Sequence, residues 1–255
     1  MFWGYDSFRL IQKDIIQNVL KGKDTFALMQ TGGGKSICFQ VPALMKKGMC
    51  VVISPLIALM KDQVDALRKR NITATLVNGM MDKRTINNIY LDCQEGKYKF
   101  LYISPERLKN KHFIRSILTC DVNLVAIDEA HSTSEWGFDF RTASQDIRKF
   151  MKFFPNTPLI ALTATATPYV KGEIIRTLAL RPGYKIFEST FGRSNLAITV
   201  KLCEKKLDFL REYLSSRKDQ VGIIYTNRRL RAESVAKALS KDFDIPVEFY
   251  HVGLS

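Results

Sequence analysis

The residues Thr31-Gly32-Gly33-Gly34-Lys35-Ser36 follow closely on a short apolar run, Phe26 to Met29. Consecutive glycines strip the backbone of side chains, so that N–H groups can converge on an anion that any Cβ would obstruct. A helix opening at this point adds the positive end of its dipole. A lysine beside such a turn reaches the outer phosphates of a nucleotide, and the Ser36 hydroxyl is placed for Mg²⁺. The strict phosphate-loop pattern has a glycine five residues before Gly34. Met29 stands there, so the match is to the relaxed form. A second reactive group, Asp128-Glu129-Ala130-His131, ends the apolar run Val122 to Ile127. Asp128, at a strand tip, suits the metal-binding carboxylate that a phosphate loop requires. Glu129 is placed to accept a proton from an attacking water, which points to a hydrolase rather than a kinase.

Both groups need strands to carry them and helices to follow. Strands are expected at 25–30, 50–54, 74–77, 99–103, 122–127 and 158–163, rich in Val, Ile and Leu with little alternation. That is how strands covered on both faces read. Helices are expected near 8–20, 35–46, 57–70, 82–95, 106–118, 141–153 and 168–179, with Ser7 as the first N-cap and Pro168 opening the last. Pro42 should kink or shorten the second. This alternation implies an α/β fold with a parallel sheet. Around 181–196 the pattern loosens. We expect a first domain over 1–190, a linker at 191–196, and the incomplete start of a second α/β domain over 197–255. In the last, strands are expected at 197–202, 220–226 and 246–250, with helices at 205–216 and 228–241.

The charge is strongly basic: 39 Lys and Arg against 25 Asp and Glu, a net charge of +14 that lies mostly in the first 195 residues. Such an excess suits a polyanionic partner as well as simple solubility. No apolar run reaches the roughly 18 residues of a membrane span. The five cysteines, Cys38, Cys50, Cys93, Cys120 and Cys203, are odd in number and form no CxxC pair, which argues against a disulfide framework or a zinc site. A cytoplasmic protein is expected, nucleoid-associated if bacterial.

"TGGGKS" with "DEAH" resembles the superfamily 2 helicases, and further stretches narrow the resemblance to the RecQ family of DNA helicases. Gly4-Tyr5 followed by Phe8-Arg9-Leu10-Ile11-Gln12 is similar to that family's adenine-recognition motif. The resemblance assigns Tyr5 and Arg9 to flank the base and Gln12 to read its edge. "VVISPLIALMKDQV" (51–64) resembles motif Ia, and "LYISPERL" (101–108), which contains Ser104, the strand-touching motif after it. "ALTATAT" (161–167) resembles motif III, whose Thr163 and Thr165 link the ATP state to the grip on DNA. "STSEWGFDFR" (132–141) is similar to the family's aromatic-rich loop, which senses single-stranded DNA through Trp136, Phe138, Phe140 and Arg141. "GIIYTNRR" (222–229) and "YHVGLS" (250–255) resemble the opening of the second motor domain. There are departures. Phe138 stands where the family usually has His, Thr142-Ala143-Ser144 replaces Pro-Glu-Tyr, and Gln30 replaces a proline. Nothing in the chain matches motifs V and VI, with their arginine finger.

The resemblance implies a RecA-like P-loop domain followed by part of a second RecA-like domain, and an ATP-dependent 3′ to 5′ DNA helicase. Its ATP would be held by Tyr5, Arg9, Gln12 and Thr31 to Ser36. Its Mg²⁺ would be held by Ser36 and Asp128, and catalysis carried by Lys35, Asp128, Glu129 and His131. Three other classes stay open: a module that binds ATP and single strands without turnover, a P-loop phosphotransferase, and a DEAD-box-like RNA helicase. His131 and the aromatic loop weigh against the last.

Overall fold

The computed structural model describes every residue except 1, 10, 132–137, 190–194, 245, 252, 254 and 255, and the side chains of 138–143 are also left aside. The chain divides into two compact units, Met1–Gly192 and Arg193–Ser255.

The first unit alternates helix and strand in the order α1 (Gln12–Leu20), β1 (Thr25–Leu28), α2 (Ile37–Met45), β2 (Met49–Ile53), α3 (Ile57–Arg68), β3 (Ala74–Val77), α4 (Lys83–Gln94) and β4 (Phe100–Ile103). A 3₁₀ turn (Pro105–Lys109), α5 (Lys111–Leu118), β5 (Val122–Ile127), α6 (Phe138–Met151), β6 (Leu159–Thr163), α7 (Pro168–Leu178) and β7 (Lys185–Glu188) follow. The strands form one sheet in the order β3-β4-β2-β5-β6-β1-β7, and the pairs are parallel. This is the expected α/β fold with a parallel sheet.

Period-two alternation sends neighbouring strand residues to opposite faces. Phe26, Val51, Ile53, Leu101, Ile103, Val125 and Ile127 join Ile89, Phe113, Phe150 and Ile174 in one core, beneath α4 to α7. Ala27, Val52, Phe100, Tyr102, Leu124 and Ala126 join Ile15, Phe39, Met60, Val64 and Leu67 in the other, beneath α1 to α3. Double coverage is why these strands carry apolar residues at every position.

Several local expectations are corrected. Ser7 does not cap α1; Ile11 occupies that position without a side-chain bond. The single helix expected over 106–118 is broken at Asn110, whose side chain caps α5 by accepting the Phe113 N–H at 3.0 Å. Pro42 lies inside α2, which is nine residues long. Pro168 opens α7 as expected, behind Thr167, which accepts the Val170 N–H. β7 falls in the stretch read as irregular. It is an edge strand with largely exposed residues, so it lacks the apolar run of its neighbours.

The second unit contains α8 (Lys206–Ser215) and α9 (Arg229–Asp242). The strands expected at 197–202, 220–226 and 246–250 do not form among its described residues. Ile198, Val200, Leu202, Val221 and Tyr225 are almost fully exposed there. Their alternation suits a covered sheet, but a strand exists only through its ladder to a neighbour, and these segments have none.

The start of the sheet is fastened by Asp24. Its carboxylate, 3% exposed, accepts hydrogen bonds from Leu159 N at 2.9 Å, Arg181 N at 2.8 Å and Arg181 Nη2 at 2.6 Å. Arg181 also donates to the Pro155 and Gly22 carbonyls, so one ion pair joins the entries to β1, β6 and β7. Breaking a buried pair of this kind costs about 3–5 kcal/mol. Arg181→Ala, which leaves the buried Asp24 charge unpaired, and Asp24→Ala, which strips Leu159 N and Arg181 N of their acceptor, are therefore each expected to lower unfolding stability by up to about 3–5 kcal/mol, as read from urea denaturation of the chain.

Candidate functional site

β1 ends at Leu28, and Met29 continues beside β6 by donating to the Thr163 carbonyl at 2.9 Å. The chain then turns through Gln30 to Gly34 and enters α2 at Ile37. Gly32 and Gly34 have φ of +78° and +75°, in the left-handed region that side chains resist. At Gly33 the obstacle is space, because an added Cβ would lie 2.9 Å from the Gln30 carbonyl oxygen. Each glycine thus has a local reason. The loop is also held from outside: the Gln12 amide donates to the Gly33 and Gly34 carbonyls, both at 3.1 Å, and its oxygen accepts the Arg9 N–H at 2.9 Å.

Gln12, Gly32, Gly33 and Gly34 line a cleft of about 500 Å³ together with Phe2, Trp3, Tyr5, Arg9, Ile37 and Val41. The Arg9 guanidinium sits 5.5 Å from the centre of the Tyr5 ring, a cation over an aromatic face. The structure therefore brings Tyr5, Arg9, Gln12 and the glycines into one concavity. Phe2, Trp3, Ile37 and Val41 were not anticipated. Apolar side chains carry no signal of a ligand until the fold gathers them. A larger groove of about 850 Å³ is confined to the second unit, is lined by residues such as Leu214, Val235 and Phe249, and holds none of the predicted site residues.

At the C-terminal end of β5, Asp128 is 2% exposed. Burial pushes its carboxyl above the ordinary range, and the neighbouring Glu129 charge adds to this. The Gln63 amide, donating to Oδ2 at 2.8 Å, and the Lys35 charge oppose the shift. Glu129 takes φ of +50°, unusual for a residue with a side chain, and its N–H closes onto Asp128 Oδ1 at 3.0 Å. Backbone strain of this kind typically costs about 1–3 kcal/mol and persists where the surroundings impose it.

Glu129 joins two elements. Its Oε1 lies 3.0 Å from Lys35 Nζ, and its Oε2 lies 3.2 Å from His131 Nδ1. His131 Nδ1 is also 2.8 Å from the Thr163 hydroxyl, which donates its proton to the Thr165 carbonyl at 3.0 Å. With that proton committed, Thr163 accepts from His131, so Nδ1 carries the hydrogen. A continuous polar chain therefore runs from Lys35 through Glu129, His131 and Thr163 to Thr165. Strand order explains it: β5, β6 and β1 are adjacent and parallel, so their C-terminal ends lie side by side.

Ser104 lies at the C-terminal end of β4, directly before the 3₁₀ turn. Trp136 lies outside the described residues. Phe138, Phe140 and Arg141 fall at the start of α6, and their side chains lie outside the description. Gln63 is a site residue that the sequence reading did not single out, although it sits in the stretch compared with motif Ia.

The donor set fits Mg²⁺ in chemical type. Ser36 and Asp128 offer oxygen ligands, and Asp128 is a buried carboxylate that a cation would favour in its charged form. No cluster of three or more His, Cys, Asp or Glu exists among the described residues. Mg²⁺ commonly uses one or two protein ligands together with substrate phosphates, so a larger cage is not required.

Comparison with known proteins bears on the family and the fold. Residues 9–172 match the DEAD/DEAH box helicase family. The chain is similar to the ATP-dependent DNA helicase RecQ of Bacillus subtilis, at 41% identity over 100% of this chain and 43% of that protein. RecQ of Pasteurella multocida is 38% identical over 99% of this chain and 40% of that protein, so the chain spans about two fifths of these relatives. Among solved structures, the DUF1998 helicase MrfA bound to DNA superposes with a TM-score of 0.76 at 16% identity, over 94% of this chain and 37% of that one. The DEAD-box helicase Mss116 bound to single-stranded RNA and UDP-BeF gives 0.69 at 16% identity, over 98% of this chain and 57% of that one. These two likenesses bear on the fold alone. With the glycine-rich loop, the acidic pair and the Thr-Ala-Thr segment assembled at one end of the sheet and a family match over residues 9–172, the chain belongs to the DEAD/DEAH box helicase family.

Proposed function

We propose that this chain is the nucleotide-binding motor portion of a RecQ-type DNA helicase, which binds ATP with Mg²⁺, grips single-stranded DNA and moves 3′ to 5′. The observation that carries the reading is the ion pair between Lys35 and Glu129, continued through His131 to Thr163. The lysine of a phosphate loop and the base of a hydrolase here neutralise each other. Nucleotide phosphates compete with Glu129 for the Lys35 ammonium. Once Lys35 turns to them, the Glu129 carboxylate can orient and deprotonate water. Mg²⁺, held by Ser36 and Asp128, would neutralise charge on the outer phosphates.

His131 and Thr163 report the state of Glu129 to the Thr165 segment. That segment follows β6, and the aromatic stretch containing Trp136 and Phe138 follows β5 in the sequence. Tyr5 and Arg9 hold the adenine. Gln12, which here clamps the phosphate loop, can exchange those carbonyls for the base edge. Trp136, Phe138, Phe140, Arg141 and Ser104 are the proposed DNA contacts, and the basic excess supplies phosphate contacts. The two-unit division is read as one RecA-like motor domain with part of a second.

Lys35→Ala is expected to abolish ATP binding measured by titration calorimetry. Tyr5→Ala and Arg9→Ala should weaken ATP while leaving inorganic triphosphate nearly unaffected; unchanged ATP affinity in Lys35→Ala removes the assignment.

Single-stranded DNA should bind with a steep salt dependence, through counterion release. Base stacking is worth about 1–3 kcal/mol per base, so Trp136→Ala should weaken binding about fivefold or more at constant fold. Fluorescence anisotropy across a salt series checks both.

No residue among the 255 matches the family's arginine finger, a group worth about a thousandfold or more in turnover. The isolated chain should therefore bind ATP and DNA yet show negligible DNA-stimulated hydrolysis in a coupled assay. Robust turnover by a verified monomer would contradict this.

A further inference from the structure

Gln63 lies on α3, and its side chain spans two groups that belong to different strands. Its Nε2 donates to Asp128 Oδ2 at 2.8 Å, and its Oε1 accepts from the Tyr102 hydroxyl at 3.0 Å. An ionised carboxylate can only accept, so the nitrogen must face Asp128 and the oxygen must face Tyr102. The carboxylate therefore sets the orientation of the amide, the Tyr102 hydroxyl holds the amide oxygen in place, and the amide fixes the position of one carboxylate oxygen.

The sheet register explains why these groups meet. Val52 on β2 is paired with Tyr102 on β4 and with Ala126 on β5, so the three form one row on one face. Asp128 is two residues beyond Ala126 and so points to the same face. That face is covered by α3, which anchors itself through Met60, Val64 and Leu67. Tyr102 is fully buried in an apolar core, and its hydroxyl donates to Gln63. A polar group costs free energy in such surroundings unless it is paired.

We propose that Gln63 is a positioning residue for the Asp128 carboxylate: held in place by Tyr102, it keeps Asp128 in the geometry that a divalent cation requires in the nucleotide complex. The proposal rests on reading Asp128 as the metal-binding carboxylate. The second oxygen, Oδ1, is occupied by the Glu129 N–H, so both oxygens of Asp128 are fixed by donors before any ligand arrives. Partners behind a metal ligand are typically worth 10–100-fold in metal affinity.

The test uses the 255-residue chain and a fluorescent ATP analogue at fixed concentration, with Mg²⁺ or Mn²⁺ titrated and binding read by fluorescence. Gln63→Met keeps the side-chain length and removes the donor. It should raise the metal concentration for half-maximal binding about tenfold or more, leaving binding in EDTA and the thermal unfolding midpoint close to wild type. Tyr102→Phe keeps the ring and removes only the hydroxyl that holds the amide oxygen, so it should move the metal requirement the same way by a smaller factor. A wild-type metal requirement left unmoved by a folded Gln63→Met or Tyr102→Phe would overturn the proposal alone. Wild-type nucleotide binding with no metal requirement would overturn it together with the reading of Asp128. Equal losses with metal and in EDTA would mark Gln63 as structural and also overturn it.

Discussion

A parallel sheet buried on both faces constrains everything else in the first unit. Parallel strands end on one edge, so each loop that follows a strand emerges on that edge. The order β5-β6-β1 makes three of those loops neighbours, although they lie far apart in sequence. The glycine-rich loop, the acidic pair and the Thr-Ala-Thr segment meet for that reason. Side-chain packing holds the sheet between two helical layers.

Within that frame, electrostatics decides the details. Lys35 and Glu129 are largely withdrawn from water, and each makes the other's charge tolerable. Asp128 is more deeply buried, and its carboxyl is raised by desolvation despite the Gln63 donor and the Lys35 charge. The left-handed backbone at Glu129 lets the two carboxylates point to different partners within one turn.

The two units differ in how complete their packing is. The first closes two apolar cores, one on each face of its sheet. The second has two helices, and the apolar residues of its extended segments stay in water among the described residues. Its sequence has the rhythm of strand and helix all the same. Alternation in sequence states which residues are fit to be covered. It does not supply the neighbour that covers them.

The amino-acid sequence alone determined the fold class and the principal strands of the first unit, because apolar runs announce strands that must be buried on both sides. Gly32 to Ser36 and Asp128 to His131 stand out in the sequence because the chemistry proposed for them needs those residue types in contiguous order. Tyr5, Arg9 and Gln12 were legible only through resemblance, since spacing alone does not place them beside the loop. The edge strand β7 was not legible, because a strand with exposed faces needs no apolar run. Tertiary structure alone decided that Lys35 pairs with Glu129, that Trp3 and Val41 join the cleft, and that Gln63 reaches Asp128. Those contacts depend on strand order and helix placement, which join residues distant in sequence through packing that no local pattern encodes.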